Sequence, residues 1–226
     1  MQRLLISIAA GAFALAALIA PVRAADLGGP AGEVVKVASD VATARYMPFA
    51  TFYAGAAHTG LDASLLGFKD GGAQFAGLAG AKLGVRAVKD KWVWGAYVMG
   101  DRREELESSP AFPGTSGGSL KYTASGNMFL GYIFAPDTSI NLHGGWGWGW
   151  LGDLRAGPTT INLPEVDGPQ VGFSLDRKLD RNTMIEASVF YWMPDAETTK
   201  VLGIPFETRT RDLTARVGWT IQLGGQ

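Results

Sequence analysis

The chain has 226 residues, of which 18% are charged and 11% aromatic; it carries no cysteine and a formal net charge of −1. A near-neutral chain offers no electrostatic footprint for nucleic acid. Without disulfides, a secreted protein of this size must be held by a large sheet, a large core or a membrane.

The N-terminus reads Met1-Gln2-Arg3, followed by an uninterrupted apolar run from Leu4 to Ala20 and then Pro21-Val22-Arg23-Ala24. This is the layout of a secretory signal peptide over residues 1–24. A retained anchor is the alternative, opposed by Pro21 and the small residue at the cut. Residues 25–45 form a periplasmic lead-in, in which Val34, Val37 and Val41 have helical spacing. Residues 46–226 form one domain.

Period-2 alternation marks eight strands near Pro48–Ala57, Ala73–Val88, Lys91–Asp101, Ser119–Phe134, Ser139–Leu151, Gln170–Lys178, Asn182–Met193 and Arg209–Leu223. Most reach the ~9–11 residues that a tilted strand needs to cross a bilayer. Their connections alternate. Lys89-Asp90, Ala135–Thr138 and Leu179–Arg181 are short turns. His58–Gly72, Arg102–Gly118, Gly152–Pro169 and Pro194–Thr208 read as long irregular loops, rich in Pro, Gly, Ser, Asp and Glu. Short turns at one end and long loops at the other are the asymmetry of outer-membrane barrels.

Each strand has one apolar and one small, polar face. In the fifth, Ile140, Leu142, Trp146, Trp148 and Trp150 oppose Asn141, His143, Gly145, Gly147 and Gly149. In the second, Ala79, Ala81, Leu83 and Val85 oppose Gly80, Lys82, Gly84 and Arg86. In the last, Leu213, Ala215, Val217, Trp219 and Ile221 oppose Thr214, Arg216, Gly218, Thr220 and Gln222. A soluble lipocalin-like barrel would be wet outside and densely charged there. These polar faces are mostly Gly, Ser, Thr and Asn, which suits a cramped interior. The expectation is therefore all-β: an eight-stranded antiparallel up-and-down transmembrane β-barrel. Trp92, Tyr132, Trp146, Trp148, Trp150, Tyr191 and Trp219 form its aromatic girdle. Lys82, Arg86, Lys121, His143, Asp176, Glu186 and Arg216 form a lumen charge network. Such charges must pair, because a narrow lumen hydrates them poorly. Exchange of Glu186 between Lys82 and Arg216 would open a narrow path. Phe129, Phe190 and Trp192 fall on the lumen side and break the alternation.

With Ala25-Asp26-Leu27 after an Ala-rich signal, this architecture resembles the small outer-membrane barrels of the OmpA-like and porin superfamily, especially those of alphaproteobacteria. Ala50-Thr51-Phe52-Tyr53-Ala54-Gly55 echoes that family's first strand, and Trp219, Ile221 and Leu223 keep the terminal alternating pattern, although the usual terminal aromatic is absent. The resemblance implies a Gram-negative cell envelope protein of the outer membrane, in contact with lipid and lipopolysaccharide, with a structural or surface role and at most a narrow pore. A loop-mediated binding module, an adhesin or an accessory of exopolysaccharide or cellulose export engaging a surface polymer or host factor, is the alternative. A lipid-modifying barrel enzyme is the third reading. Lipid-A deacylase barrels carry a Ser two residues after their His, and neither His143-Gly144-Gly145 nor His58-Thr59-Gly60 supplies it. The expectation is no enzyme, no cofactor and no metal site. The mixed-sign run Asp101-Arg102-Arg103-Glu104-Glu105-Leu106-Glu107 reads as a solvated loop base, with calcium binding or contact with lipopolysaccharide phosphates as the alternative.

Overall fold

A computed structural model describes residues 44–65, 68–109, 115–201 and 204–223. The signal peptide and nearly all of the 25–45 lead-in, with its Val34–Val41 spacing, lie outside the described residues. Eight long strands form the wall: β1 (Arg45–Leu65), β2 (Phe68–Lys89), β3 (Trp92–Ser109), β5 (Leu120–Ala135), β6 (Thr138–Leu151), β9 (Val166–Lys178), β10 (Thr183–Trp192) and β12 (Ile204–Gln222). Each pairs antiparallel with the next, and β12 returns to β1 from Phe49↔Gln222 to Leu65↔Phe206. The sheet is closed, so the wall has no free edge, as a strand-built protein in lipid requires. All eight strands read from the alternation are present.

Side chains sort as the pleat demands. On β12 every even residue from Phe206 to Gln222 is buried and every odd one from Pro205 to Leu223 is exposed. The exposed side is the apolar one. Phe52, Leu83, Met128, Leu142, Phe173 and Val217 are each more than half exposed, and every strand of the wall contributes to the same belt. Contiguous apolar surface on this scale exceeds what soluble monomers leave in water. It is the lipid face of a membrane barrel.

The short connections are tight. Asp90 and Asp137 sit at φ values of 54° and 61°, the left-handed region that Asp tolerates in turns. The expectation of four long irregular loops is corrected. β1 and β2 stay paired up to Leu65↔Phe68, β3 runs on to Ser109, and β12 begins at Ile204 against β11 (Glu197–Val201). Beyond the bilayer both faces of a strand are wet, so the apolar alternation disappears while the backbone ladder continues. At ~3.3 Å per residue, a 21-residue strand tilted by about 45° rises roughly 50 Å, about twice the ~25 Å apolar band. Over the mouth lies a second, three-stranded sheet of β4 (Thr115–Gly117), β7 (Leu154–Ala156) and β8 (Thr159–Ile161). Gly117 and Gly118 supply two consecutive positive φ values, 87° and 77°, that bring β4 to the head of β5. Leu154, with Ile161 and Leu163, packs against Phe206 and Leu61 of the wall.

Candidate functional site

The interior is filled in tiers. Nearest the short turns, Glu186 of β10 lies opposite Asp176 of β9 in the ladder. Like charges in that position repel, and two cations from β2 neutralise them. Lys82 pairs with Glu186, and Arg86 lies 4.0 Å from Asp176. His143 sits beside this cluster, with Nδ1 3.0 Å from the Tyr97 hydroxyl and Nε2 3.0 Å from Ser174 Oγ. Ser174 in turn donates to Asp176 at 2.9 Å. The sequence places Lys82, Arg86, His143, Asp176 and Glu186 here, and the fold brings all five together.

A layer of rings follows. Phe49 and Tyr53 of β1, Tyr97 of β3 and Phe190 of β10 are buried in one cluster, with Phe129 of β5 packed against it. Ring centroids lie 6.1 Å apart for Tyr97 and Phe129 and 5.2 Å apart for His143 and Phe190. Phe129 and Phe190 are two of the three residues that break the sequence alternation; the third, Trp192, is buried farther along β10, and no bulge displaces any of them. Glycines opposite make their room. A Cβ at Gly172 would stand 2.4 Å from the Phe190 ring, at Gly95 2.7 Å from Phe129, and at Gly149 2.5 Å from Trp192. The glycines between the tryptophans of β6 therefore have a packing role: Trp192 lies over Gly147 and Gly149 and donates its indole N–H to Gly168 O at 3.1 Å.

Beyond the rings is a second charge cluster that sequence reasoning missed. Arg103 grips both carboxylate oxygens of Asp212 at 2.6 and 2.8 Å, and its Nε donates to Asp101 at 3.1 Å. The Thr59 hydroxyl donates to Asp212 at 2.7 Å. Arg216 reaches Asp101 at 3.2 Å and stacks on Tyr53 and Phe190, 5.0 and 4.9 Å from their centroids. Asp101 and Arg103 thus do not belong to a solvated loop base; they continue the lumen side of β3, with Arg102 and Glu104 on the outer side. The one available signal was the strand parity carried through the charged run. Arg216 is committed to Asp101, with Phe190 stacked on it, so the exchange of Glu186 between Lys82 and Arg216 is not the arrangement formed. Lys121 is also corrected. It is exposed, because the β5–β6 register shifts between Leu120 and Tyr122 and turns it outward.

Among the described residues the buried charges balance: Lys82, Arg86, Arg103 and Arg216 against Asp101, Asp176, Glu186 and Asp212. Small cavities lie among the described residues: one of about 10 Å³ beside Lys82, His143 and Glu186, one of about 10 Å³ beside Arg103, Gln170 and Arg216, and one of about 30 Å³ beside Thr59, Gln74 and Leu154. Each of the smaller two has room for about one water. No group of three potential metal ligands converges among the described residues.

The girdle residues all lie on the outer side. Trp92 and Tyr132 meet edge to face at 5.4 Å beside the first short turn. At the other end Trp146 donates its indole N–H to Asp167 at 2.9 Å and Trp150 to Glu165 at 2.8 Å. Trp148 stands between them, half-buried, while Tyr191 and Trp219 are exposed. An amphipathic ring with its polar end satisfied suits a bilayer boundary.

No protein-family model and no curated protein matches the chain. Solved structures share its general form at low identity. Neisserial surface protein A is 12% identical over 76% of this chain and 97% of its own, with a TM-score of 0.41. The attachment invasion locus protein Ail of Yersinia pestis is 15% identical over 74% and 97%, with a TM-score of 0.41. The outer membrane protein OprG of Pseudomonas aeruginosa is 13% identical over 77% and 95%, with a TM-score of 0.46. The closed eight-stranded wall and its lipid-facing belt make this chain a small membrane barrel of the outer-membrane type.

Proposed function

We propose that the protein serves the outer membrane as a structural and surface component whose lumen is shut to solutes. Its short turns face the periplasm, and its long strand extensions face outward. The observation that carries this reading is the filled interior, with eight buried charges neutralised in place and cavities of only about 10 to 30 Å³ among the described residues. Planar-bilayer recording with a liposome-swelling assay tests it. The expected result is at most a small conductance and no uptake of a monosaccharide; sugar-driven swelling would overturn it. The protein is not an enzyme in this reading. Ser174 and His143 lie 3.0 Å apart, but the Ser174 hydroxyl donates to Asp176, so His143 donates to it and is not its base; Ser174 also has no exposed surface, and the adjoining cavity admits only water. The alphaproteobacterial affinity rests on the sequence resemblance alone.

The ordered extensions favour a second role, the binding of a surface polymer, lipopolysaccharide or host factor at the outer face. The β1–β2 ladder and the three-stranded cap order that face by strand pairing, and a preorganised surface loses less entropy on binding. Shortening the β1–β2 hairpin by deleting residues 61–72 should leave the heat-modifiable barrel intact and abolish cell-surface attachment; unchanged attachment would sink this role.

A further inference from the structure

The short-turn end is laced into a continuous ring by backbone hydrogen bonds. Ile133 N donates to Lys91 O, Lys178 N to Asp137 O, Gln222 N to Asn182 O and Leu223 N to Pro48 O, each at 2.7 Å. On this ring Lys91, Arg177, Lys178 and Arg181 are exposed. The carboxylates there are Asp90, Asp137 and Asp180, and Asp180 is already committed to its own turn. It accepts from Asn182 N at 2.8 Å, Thr183 N at 3.0 Å and the Thr183 hydroxyl. Arg177 lies on the outer side of β9, directly below lipid-facing Phe173 and Leu175. Lys91 precedes Trp92, whose ring packs against Tyr132 at the foot of the apolar belt. Among the exposed described residues, the opposite end is net acidic, with eight carboxylates, Asp62, Asp70, Glu104 and Glu105 among them, against five cations that include Arg209 and Arg211. A basic collar under an aromatic belt places cations where lipid phosphates lie, and long side chains can extend to that level.

We infer that this collar binds anionic phospholipid headgroups, of the phosphatidylglycerol type, in the leaflet that meets the short turns. The inference rests on the membrane-barrel reading. Each basic residue at a bilayer surface strengthens association with anionic lipid by about fivefold. Salt reduces this attraction, because the collar is exposed.

The test uses the protein extracted from membranes and exchanged into detergent containing equal amounts of phosphatidylglycerol and phosphatidylcholine. Native mass spectrometry counts the lipid retained. The wild type should retain phosphatidylglycerol about tenfold over phosphatidylcholine. The triple variant K91Q/R177Q/R181Q should lose that preference to within about twofold, and R209Q/R211Q at the outer rim should keep it. Absence of preference in the wild type, or its survival in the triple variant, overturns the collar. Insertion into phosphatidylcholine vesicles with a heat-sensitive gel shift is scored in parallel. A barrel that inserts without lipid preference refutes the collar alone, whereas one that does not insert refutes the membrane reading.

Discussion

The Arg103–Asp212 pair offers the sharpest test of a lumen held by balanced charge. D212N keeps the shape of the side chain and removes its charge, leaving one buried cation in excess. Arg103 would lose the bidentate carboxylate grip at 2.6 and 2.8 Å, because an amide offers one acceptor and turns an N–H toward the other guanidinium N–H, and would keep its longer bonds to Asp101 at 3.1 Å and the Thr59 hydroxyl at 3.3 Å. Breaking a buried pair from one side costs about 3–5 kcal/mol. The surviving Asp101 contact places D212N near the lower end, at roughly 3 kcal/mol. R103M leaves Asp212 with the Thr59 hydroxyl and an excess of negative charge, at a similar cost. The double variant R103M/D212N restores the balance and leaves Asp101 paired with Arg216. Its cost should fall about 2–3 kcal/mol short of the sum of the singles. Urea unfolding from lipid vesicles, followed by tryptophan fluorescence, measures all four corners of the cycle. Additivity within about 0.5 kcal/mol would refute the reasoning, because uncoupled residues behave in that way.

The ring layer makes an equally direct prediction. G149V drives a branched side chain into Trp192 and Leu120, where a Cβ alone stands 2.5 and 2.8 Å away, and should cost about 1–3 kcal/mol; G144A, on the open outer side, should be near neutral in the same unfolding assay. V217K places a cation in the lipid belt at a residue that is 62% exposed, and should destabilise the vesicle-embedded barrel by about 2–4 kcal/mol, whereas equal stability would deny that this face meets lipid. At the short turn between β9 and β10, the Thr183 hydroxyl and the Asn182 and Thr183 amides hold the Asp180 carboxyl below its ordinary range. A depressed folded-state pKa contributes stability above the unfolded value of about 3.9 and loses it as pH falls through the folded value. The protection of the Asn182 and Thr183 amides against exchange, taken relative to their intrinsic rates at each pH, should therefore fall in acid for the wild type and stay level with pH in D180N.

The wall was legible because lipid imposes a chemical alternation on every strand that crosses it. Val217 and Trp219 against Arg216 and Gly218 fix both the strand and its faces. Where β1 and β3 leave the bilayer, water meets both faces and the backbone alone keeps the ladder; Arg102–Ser109 therefore read as loop. The same loss of contrast hid Asp101 and Arg103, whose burial depends on which way the parity carries them and on Asp212 lying across the lumen. Lys121 failed for the complementary reason. A register shift at Leu120 reverses the parity there, and no residue type announces it.

The interior also separates two devices that alternation alone merges. Charge pairs such as Lys82 with Glu186 make the lumen electrically neutral, but neutrality alone would leave it wet. Dryness comes from rings seated over glycines: Phe190 over Gly172, Phe129 over Gly95 and Trp192 over Gly147 and Gly149. The charges on the two sides of this layer do not exchange partners. Arg216 is held to Asp101 with Phe190 stacked on it, and Lys82 is held to Glu186 beneath Tyr97. Removing a ring should therefore open the lumen more than removing a charge. In planar bilayers, F190A should raise conductance severalfold above E186Q, since rings exclude water where an uncompensated Lys82 would attract it. Both variants must first show the wild-type heat shift on gels, so that altered current reports the lumen and not a misfolded wall. A larger current through E186Q would return the gate to the ion pair.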